Sequence, residues 1–165
     1  MSFTDPWSYA NGDGYQLIQS LVAFINGGLL GQGLGESKQK LFFLPHASSD
    51  FIFAVIGEEF GALGSIVIVS LFFYFAFLCI KIMKFQTDDF NRIFILAYLS
   101  LVCSQVFLNM GVAIGILPTK GIALPFMSTG ANALIVFIFG AGIVLKIALQ
   151  TLHELDDHNI FLHSS

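Results

Sequence analysis

Apolar and polar positions alternate along this chain in long blocks. The first thirteen residues are polar and turn-like, with Asp5-Pro6 and Asn11-Gly12-Asp13-Gly14 as breakers. Over 15–26, Ile18, Leu21, Val22 and Ile25 recur at helical spacing, while Gln16, Gln19, Ser20 and Asn26 fall elsewhere on the wheel. This segment predicts an amphipathic helix too short and too polar to span a bilayer. It belongs at the membrane interface or against a bundle. A glycine-rich run follows (Gly27, Gly28, Gly31, Gly33, Gly35), then Lys38 and Lys40. Three long apolar blocks complete the pattern, at about 51–80, 93–116 and 126–149. Each is long enough for roughly 30 Å of hydrocarbon. A polar loop with Asp88, Asp89 and Arg92 separates the first two, and a turn with Pro118, Lys120, Gly121 and Pro125 separates the last two. The tail, 151–165, is polar and is expected to fray.

The expected fold is therefore all-α: a polytopic membrane fragment of three transmembrane helices, with an external loop (1–50) carrying an interfacial amphipathic helix. Composition agrees. Of 165 residues, 56% are hydrophobic and 11% charged, and mean hydropathy is +0.81. A water-soluble domain carries about a quarter charged residues. The net charge of −4 makes nucleic acid a poor partner. Cys79 and Cys103 lie inside apolar runs and read as small buried hydrophobes. His153, His158 and His163 recur every five residues, which does not stack on one helix face, so no metal site is expected there.

Lysine and arginine set the expected orientation. Lys81, Lys84, Arg92 and Lys146 lie on one side, and Lys38, Lys40 and Lys120 on the other. The small excess places the 81–92 loop and the C-terminus in the cytoplasm, and residues 1–50 and the 116–126 turn outside. An external N-terminal segment without a signal peptide needs preceding spans to carry it across. The chain is thus expected to be the C-terminal portion of a larger protein or a split gene product.

Charged side chains near hydrocarbon mark function, because each costs roughly 2.5–3.5 kcal/mol at the bilayer centre on insertion scales. Asp50 stands at the mouth of the first span, with Glu58 and Glu59 in its first turns. Asp50 has two readings from position alone: an N-cap, or a reactive carboxylate at the water–lipid boundary. Glu58 is rotated roughly 80° from Asp50 on an ideal wheel and Glu59 faces nearly opposite. Both are therefore expected to be structural, paired to polar groups on other spans. Gln105 and Asn109, at i and i+4 on the second span, read as interhelical hydrogen-bonding residues. The glycine run lacks the order of a phosphate loop and reads as turn-forming.

Two stretches carry a family resemblance. Gly31-Gln32-Gly33-Leu34-Gly35-Glu36-Ser37-Lys38-Gln39-Lys40-Leu41, followed by Leu44-Pro45 and Asp50-Phe51-Ile52-Phe53-Ala54-Val55-Ile56-Gly57-Glu58-Glu59, resembles the first signature of the SEDS family. This family comprises the shape, elongation, division and sporulation proteins (FtsW, RodA, SpoVE). Asn109-Met110-Gly111-Val112, Gly115, Pro118, Gly121 and Leu124-Pro125-Phe126-Met127-Ser128 resemble its second signature. The likeness covers roughly residues 3–150 and is closer to the FtsW-like branch. It departs from the family pattern at His46, Ser48, Lys120 and 129–132.

The resemblance implies the last three of about ten spans of a lipid II glycosyltransferase, a peptidoglycan polymerase of cell division in the bacterial inner membrane. It implies that Asp50 is catalytic. A carboxylate there could take a proton as general base, or hold a divalent cation that neutralises the leaving pyrophosphate. It implies substrate-binding roles for Lys40, Lys120 and Ser128. Implied partners are lipid II, a class B penicillin-binding transpeptidase, other division proteins and the missing N-terminal spans. Two other functions compete: a lipid II flippase, and an inactive remnant serving as a division-complex scaffold.

Overall fold

The computed structural model describes residues 13–33, 35, 51–117, 122–127 and 131–163. It is all-helical over these residues, with four helices: α1 (Asp13–Gly27), α2 (Ile52–Phe85), α3 (Asp89–Ala113) and α4 (Ala131–His163). Three are long and apolar enough to cross a membrane: α2, α3 and α4 as far as His153. The helix expected over 15–26 is α1, extended by a residue or two at each end.

Boundaries shift where local chemistry overrides the apolar pattern. α2 runs past Lys81 and Lys84 to Phe85, because lysine is a good helix former and its long stem lets the ammonium reach water. α3 begins at Asp89, with Asp88 as N-cap accepting from the Phe90 N–H at 3.2 Å. It ends at Ala113, before Gly115 with its positive φ of 77°. α4 begins at Ala131 rather than near 126, because Pro125 and the positive φ of Phe126 (65°) keep that stretch out of the helix. The tail expected to fray instead continues α4 to His163.

The helices pack around two apolar cores. Cys79, Ile95, Tyr98, Leu99, Val102, Phe137, Val144 and Ile147 join the three long helices through the middle. Ala23, Phe51, Ala54, Val55 and Val112 join α1 to the start of α2 and the end of α3. Hydrogen bonds fasten both ends. Ser20 Oγ, fully buried on α1, donates to the Ala113 carbonyl at 2.7 Å. At the other end the Gln86 side-chain amide donates to Thr151 Oγ1 on α4, and Asn91 Nδ2 donates to Gln86 Oε1 at 3.4 Å. Between them Tyr98 OH donates to the Phe137 carbonyl at 2.6 Å. Cys79 is buried, but Cys103 is exposed on the bundle surface, against the expectation of two buried cysteines.

The face that α1 buries is not its bulkiest. Leu17, Ile18, Ser20, Ala23 and Gly27 are buried, whereas Ile25 is 78% exposed. Where lipid tails are as apolar as leucine, helices associate by close packing, and small residues mark the contact.

Candidate functional site at one end of the bundle

α2 is not one continuous helix. Gly61 has φ 67° and ψ −163°, and splits it into a half ending at Phe60 and a half beginning at Ala62. Such a break frees carbonyls on one side and N–H groups on the other, and each left unpaired in hydrocarbon costs several kcal/mol. The glycine run supplies the partners. Gln32 and Gly33 donate their N–H groups to the carbonyls of Glu58 (2.9 Å) and Glu59 (3.1 Å). Ala62 and Leu63 donate to the carbonyls of Gly28 (2.9 Å) and Leu29 (3.3 Å). The run also closes on itself, with Gly31 N–H donating to Gly27 O at 2.8 Å.

Only glycine fits this docking. A Cβ on Gly31 would collide with the Glu59 carbonyl, and its φ of 80° disfavours other residues independently. A Cβ on Gly61 would meet the backbone of Leu29 and Gly31. The run is therefore turn-forming, as its order implies, and its turn is built onto the helix break.

Glu58 and Glu59 stand on the last turn before that break. Glu58 is fully buried and Glu59 is 9% exposed. The Glu59 carboxylate accepts from Gly35 N–H at 3.3 Å. Among the described residues, the partner seen for Glu59 is thus in the glycine run. A helix break cannot be read from hydropathy, and it offers a nearer donor. Asn109 is 1% exposed, and its Nδ2 donates to the Ile122 carbonyl at 2.7 Å. Here too the bond expected to run between helices runs to a connecting segment. Gln105 is half-buried one turn away.

Asn109 holds a segment that re-enters the bundle. Leu124 and Pro125 are fully buried. The Phe126 ring packs on Phe75 of α2 at 6.0 Å and Phe137 of α4 at 5.6 Å, centroid to centroid. Irregular backbone at membrane depth is tolerated only where protein covers it. Sequence reasoning read this stretch as an outer turn. The signal for re-entry was the apolar run Ile122-Ala123-Leu124-Pro125-Phe126-Met127 beside the buried Asn109.

Asp50, Lys40, Lys120 and Ser128 lie outside the described residues, as do His46 and Ser48. Their flanking residues are placed. The segment 36–50 leaves Gly35, held by Glu59, and returns to Phe51, which is 4% exposed in the core shared with α1. The segment 118–121 leaves Leu117, packed on that same core, and returns to Ile122, held by Asn109. The segment 128–130 follows Met127, whose N–H donates to the Leu124 carbonyl at 3.3 Å. The N-cap position of α2 falls on Phe51, one residue beyond Asp50, with no side-chain cap hydrogen bond.

An apolar groove of about 420 Å³ lies between α2 and α3, lined by Phe72, Phe73, Val106, Phe107 and Ile114 among others. It carries no chemistry of its own.

Comparison with known proteins places this architecture. The family of FtsW, RodA and SpoVE, described as cell cycle proteins, matches over residues 1–153. A probable peptidoglycan glycosyltransferase FtsW of Geobacter metallireducens is 46% identical over 150 residues, covering 91% of this chain and 40% of that protein. A protein of the same name from Coxiella burnetii is 44% identical over 155 residues, 91% of this chain and 41% of its own length. A solved chain, from work on the structural coordination of polymerization and crosslinking by a peptidoglycan synthase complex, superposes with a TM-score of 0.72 at 23% identity. It covers 91% of this chain and 40% of that one, and that likeness concerns the fold. The chain thus spans about two fifths of the length of these relatives. With three long apolar helices, two signatures in order and a match along nearly all its length, this chain belongs to the FtsW/RodA/SpoVE family of multi-pass membrane proteins.

Proposed function

We propose that this chain is the C-terminal membrane portion of a peptidoglycan glycosyltransferase that polymerises lipid II during division, and that Asp50 is its general base. The observation that carries the reading is the relation of Asp50 to α2. Asp50 falls within the family's first signature, and the cap position that would give it a purely structural role belongs to Phe51. The chemistry fits a carboxylate at a membrane boundary. A sugar hydroxyl attacks an anomeric carbon, a new C–O bond forms, and the bond to the lipid pyrophosphate breaks. The hydroxyl proton passes to the Asp50 carboxylate. The departing pyrophosphate carries negative charge, which Lys40 and Lys120 are suited to balance. Ser128, in the second signature, is assigned to the same substrate site by the resemblance.

The N-terminal spans complete the enclosure, and a class B penicillin-binding transpeptidase receives the glycan strand. The solved neighbour, from work on a peptidoglycan synthase complex, supports such a partner. The protein sits in the inner membrane, with residues 1–50 and the 116–126 turn outside and the 81–92 loop and 151–165 tail in the cytoplasm. The lysine and arginine balance supports this orientation.

The test is Asp50→Asn in the full-length protein, assayed in detergent by polymerisation of purified lipid II. Asparagine caps a helix nearly as well as aspartate, so a cap would survive the change. Loss of a general base lowers turnover about 100-fold or more. Near-normal polymer from the variant would remove Asp50 from the chemistry. A flippase needs two compartments, so polymer formed in detergent also separates polymerase from transporter.

A further inference from the structure

Three large apolar side chains are left uncovered where α1 meets the glycine run. Ile25 is 78% exposed, Leu29 75% and Leu30 80%. The rest of α1 is packed: every residue from Tyr15 to Phe24 is buried or half-buried. The apolar exposure is thus confined to one tip, and adjoining large apolar side chains left open mark a contact. No residue from Gly14 to Gly35 is charged, whereas water-facing protein carries about a quarter charged residues.

Hydrogen bonds fix the depth of this tip. The N–H groups of Ala62 and Leu63 donate to the carbonyls of Gly28 and Leu29. From Ala62 to Ile80, α2 holds no charged residue and is about as long as the hydrocarbon is thick. Glu58 and Glu59 lie just before that stretch. The break at Gly61 therefore marks the hydrocarbon edge, and Leu29 is bonded to the first turn beyond it. There the tip adjoins the open surface of α2, where Leu63, Ile66 and Val67 are each more than half exposed.

The backbone of the tip is also prepared for a surrounding without water. The N–H groups of Gly28, Gly31, Gln32 and Gly33 all donate within the protein, and the carbonyls of Gly27, Gly28 and Leu29 all accept. Even the Asn26 carbonyl, on the exposed last turn of α1, accepts from the Gln32 side-chain amide at 3.2 Å. Water would satisfy such groups in a solvated loop; in lipid the protein must do so itself.

We propose that Ile25, Leu29 and Leu30 form an anchor that inserts among the acyl chains of bilayer phospholipids, at the end of the bundle that carries the docked run. Two features favour lipid as the occupant: the tip lies level with the start of the apolar stretch, and it adjoins the open apolar surface of that stretch. The glycine run then has a second task, which is to hold two leucines at the depth of the hydrocarbon. This anchoring is independent of the reaction at the site.

The test is photo-cross-linking. The amino acid p-benzoylphenylalanine is placed at position 25 or 30 of the full-length protein, reconstituted in vesicles of phosphatidylethanolamine and phosphatidylglycerol alone. Both native side chains are exposed, so the larger ring disturbs no packing. On irradiation the ring inserts into a neighbouring C–H bond, and the mass of the labelled peptide identifies the neighbour. Most of the adduct at both positions should carry a phospholipid acyl chain. An adduct to another span of the same chain, or to a second protein, would overturn the proposal by showing that protein covers the tip. Recovery of the peptide without an adduct would overturn it too, because it would leave only water there.

Discussion

Gly31 shows how a single position is decided by backbone rather than by side chain. Its φ is left-handed and its Cα lies against the Glu59 carbonyl. A methyl group there adds the left-handed penalty of about 1–2 kcal/mol and displaces two backbone hydrogen bonds. Gly31→Ala is therefore expected to destabilise the detergent-solubilised protein by about 2 kcal/mol or more, visible as a clear fall in thermal midpoint. Gly35→Ala meets only its φ of 81°, since nothing lies within reach of a Cβ there, and should cost less. Equal midpoints for the two variants would contradict the docking. At this scale the sequence was readable in kind but not in partner. That the glycines form a turn follows from their number and order. That they satisfy a broken helix does not, because a glycine such as Gly61 inside a long apolar block does not by itself mark a break. Glu59 and Asn109 were identifiable as polar residues needing partners. The partners seen for them, Gly35 and Ile122, lie in connecting segments, which periodicity does not describe.

At the scale of elements, the three long helices and α1 were all legible from hydropathy, and their contact faces were not. Of the apolar stripe of α1, Ile18 is buried and Leu21 and Val22 half-buried, yet Ile25 points away and Ser20, Ala23 and Gly27 point in. In lipid, apolar bulk carries no instruction to bury, so size and polar ties decide. The contact between α3 and α4 illustrates this. The Tyr98 hydroxyl donates to the Phe137 carbonyl, and its ring covers Gly140. Tyr98→Phe should cost about 1 kcal/mol, in the range of interhelical bonds in membranes, because the ring remains. Gly140→Leu should cost several times more by forcing the helices apart. Resistance to unfolding in a denaturing detergent measures both. A Tyr98→Phe loss as large as that of Gly140→Leu would mean that the hydroxyl, not the packing, joins these helices.

Across the whole molecule, the described segments that flank the proposed site residues gather at one end. α1, the docked glycine run, the start of α2, the end of α3 and the re-entrant segment share it. The Gln86–Thr151 tie closes the other. The candidate residues 40, 50, 120 and 128 lie outside the described residues and rest on the family signatures, with Asp50 marked also by its place at the mouth of the first span. The proposed orientation predicts that Lys120→Cys is labelled by an impermeant maleimide in intact cells, and that Thr87→Cys is labelled only after permeabilisation. Thr87 is the better inner site because it is exposed, whereas the neighbouring Gln86 is engaged. External labelling of position 87 would invert the topology.

The docked glycine run also bears on how the protein responds to its bilayer. The apolar stretch of the second half of α2, 62–80, comprises 19 residues, or ~28 Å, close to the roughly 30 Å of hydrocarbon. In a thinner bilayer it is too long, and mismatch of that sign is relieved by tilt. A free glycine joint would absorb the tilt locally. Here the joint is splinted, because residues 28–33 bond to both halves, so a change in tilt below is carried into the half-helix above. Bilayer thickness thereby becomes a mechanical input to the end that carries the docked run. Turnover in vesicles should vary steadily with lipid acyl length, and Gly31→Ala, which loosens the splint, should flatten that dependence. A parent protein indifferent to acyl length would show that the splint transmits nothing.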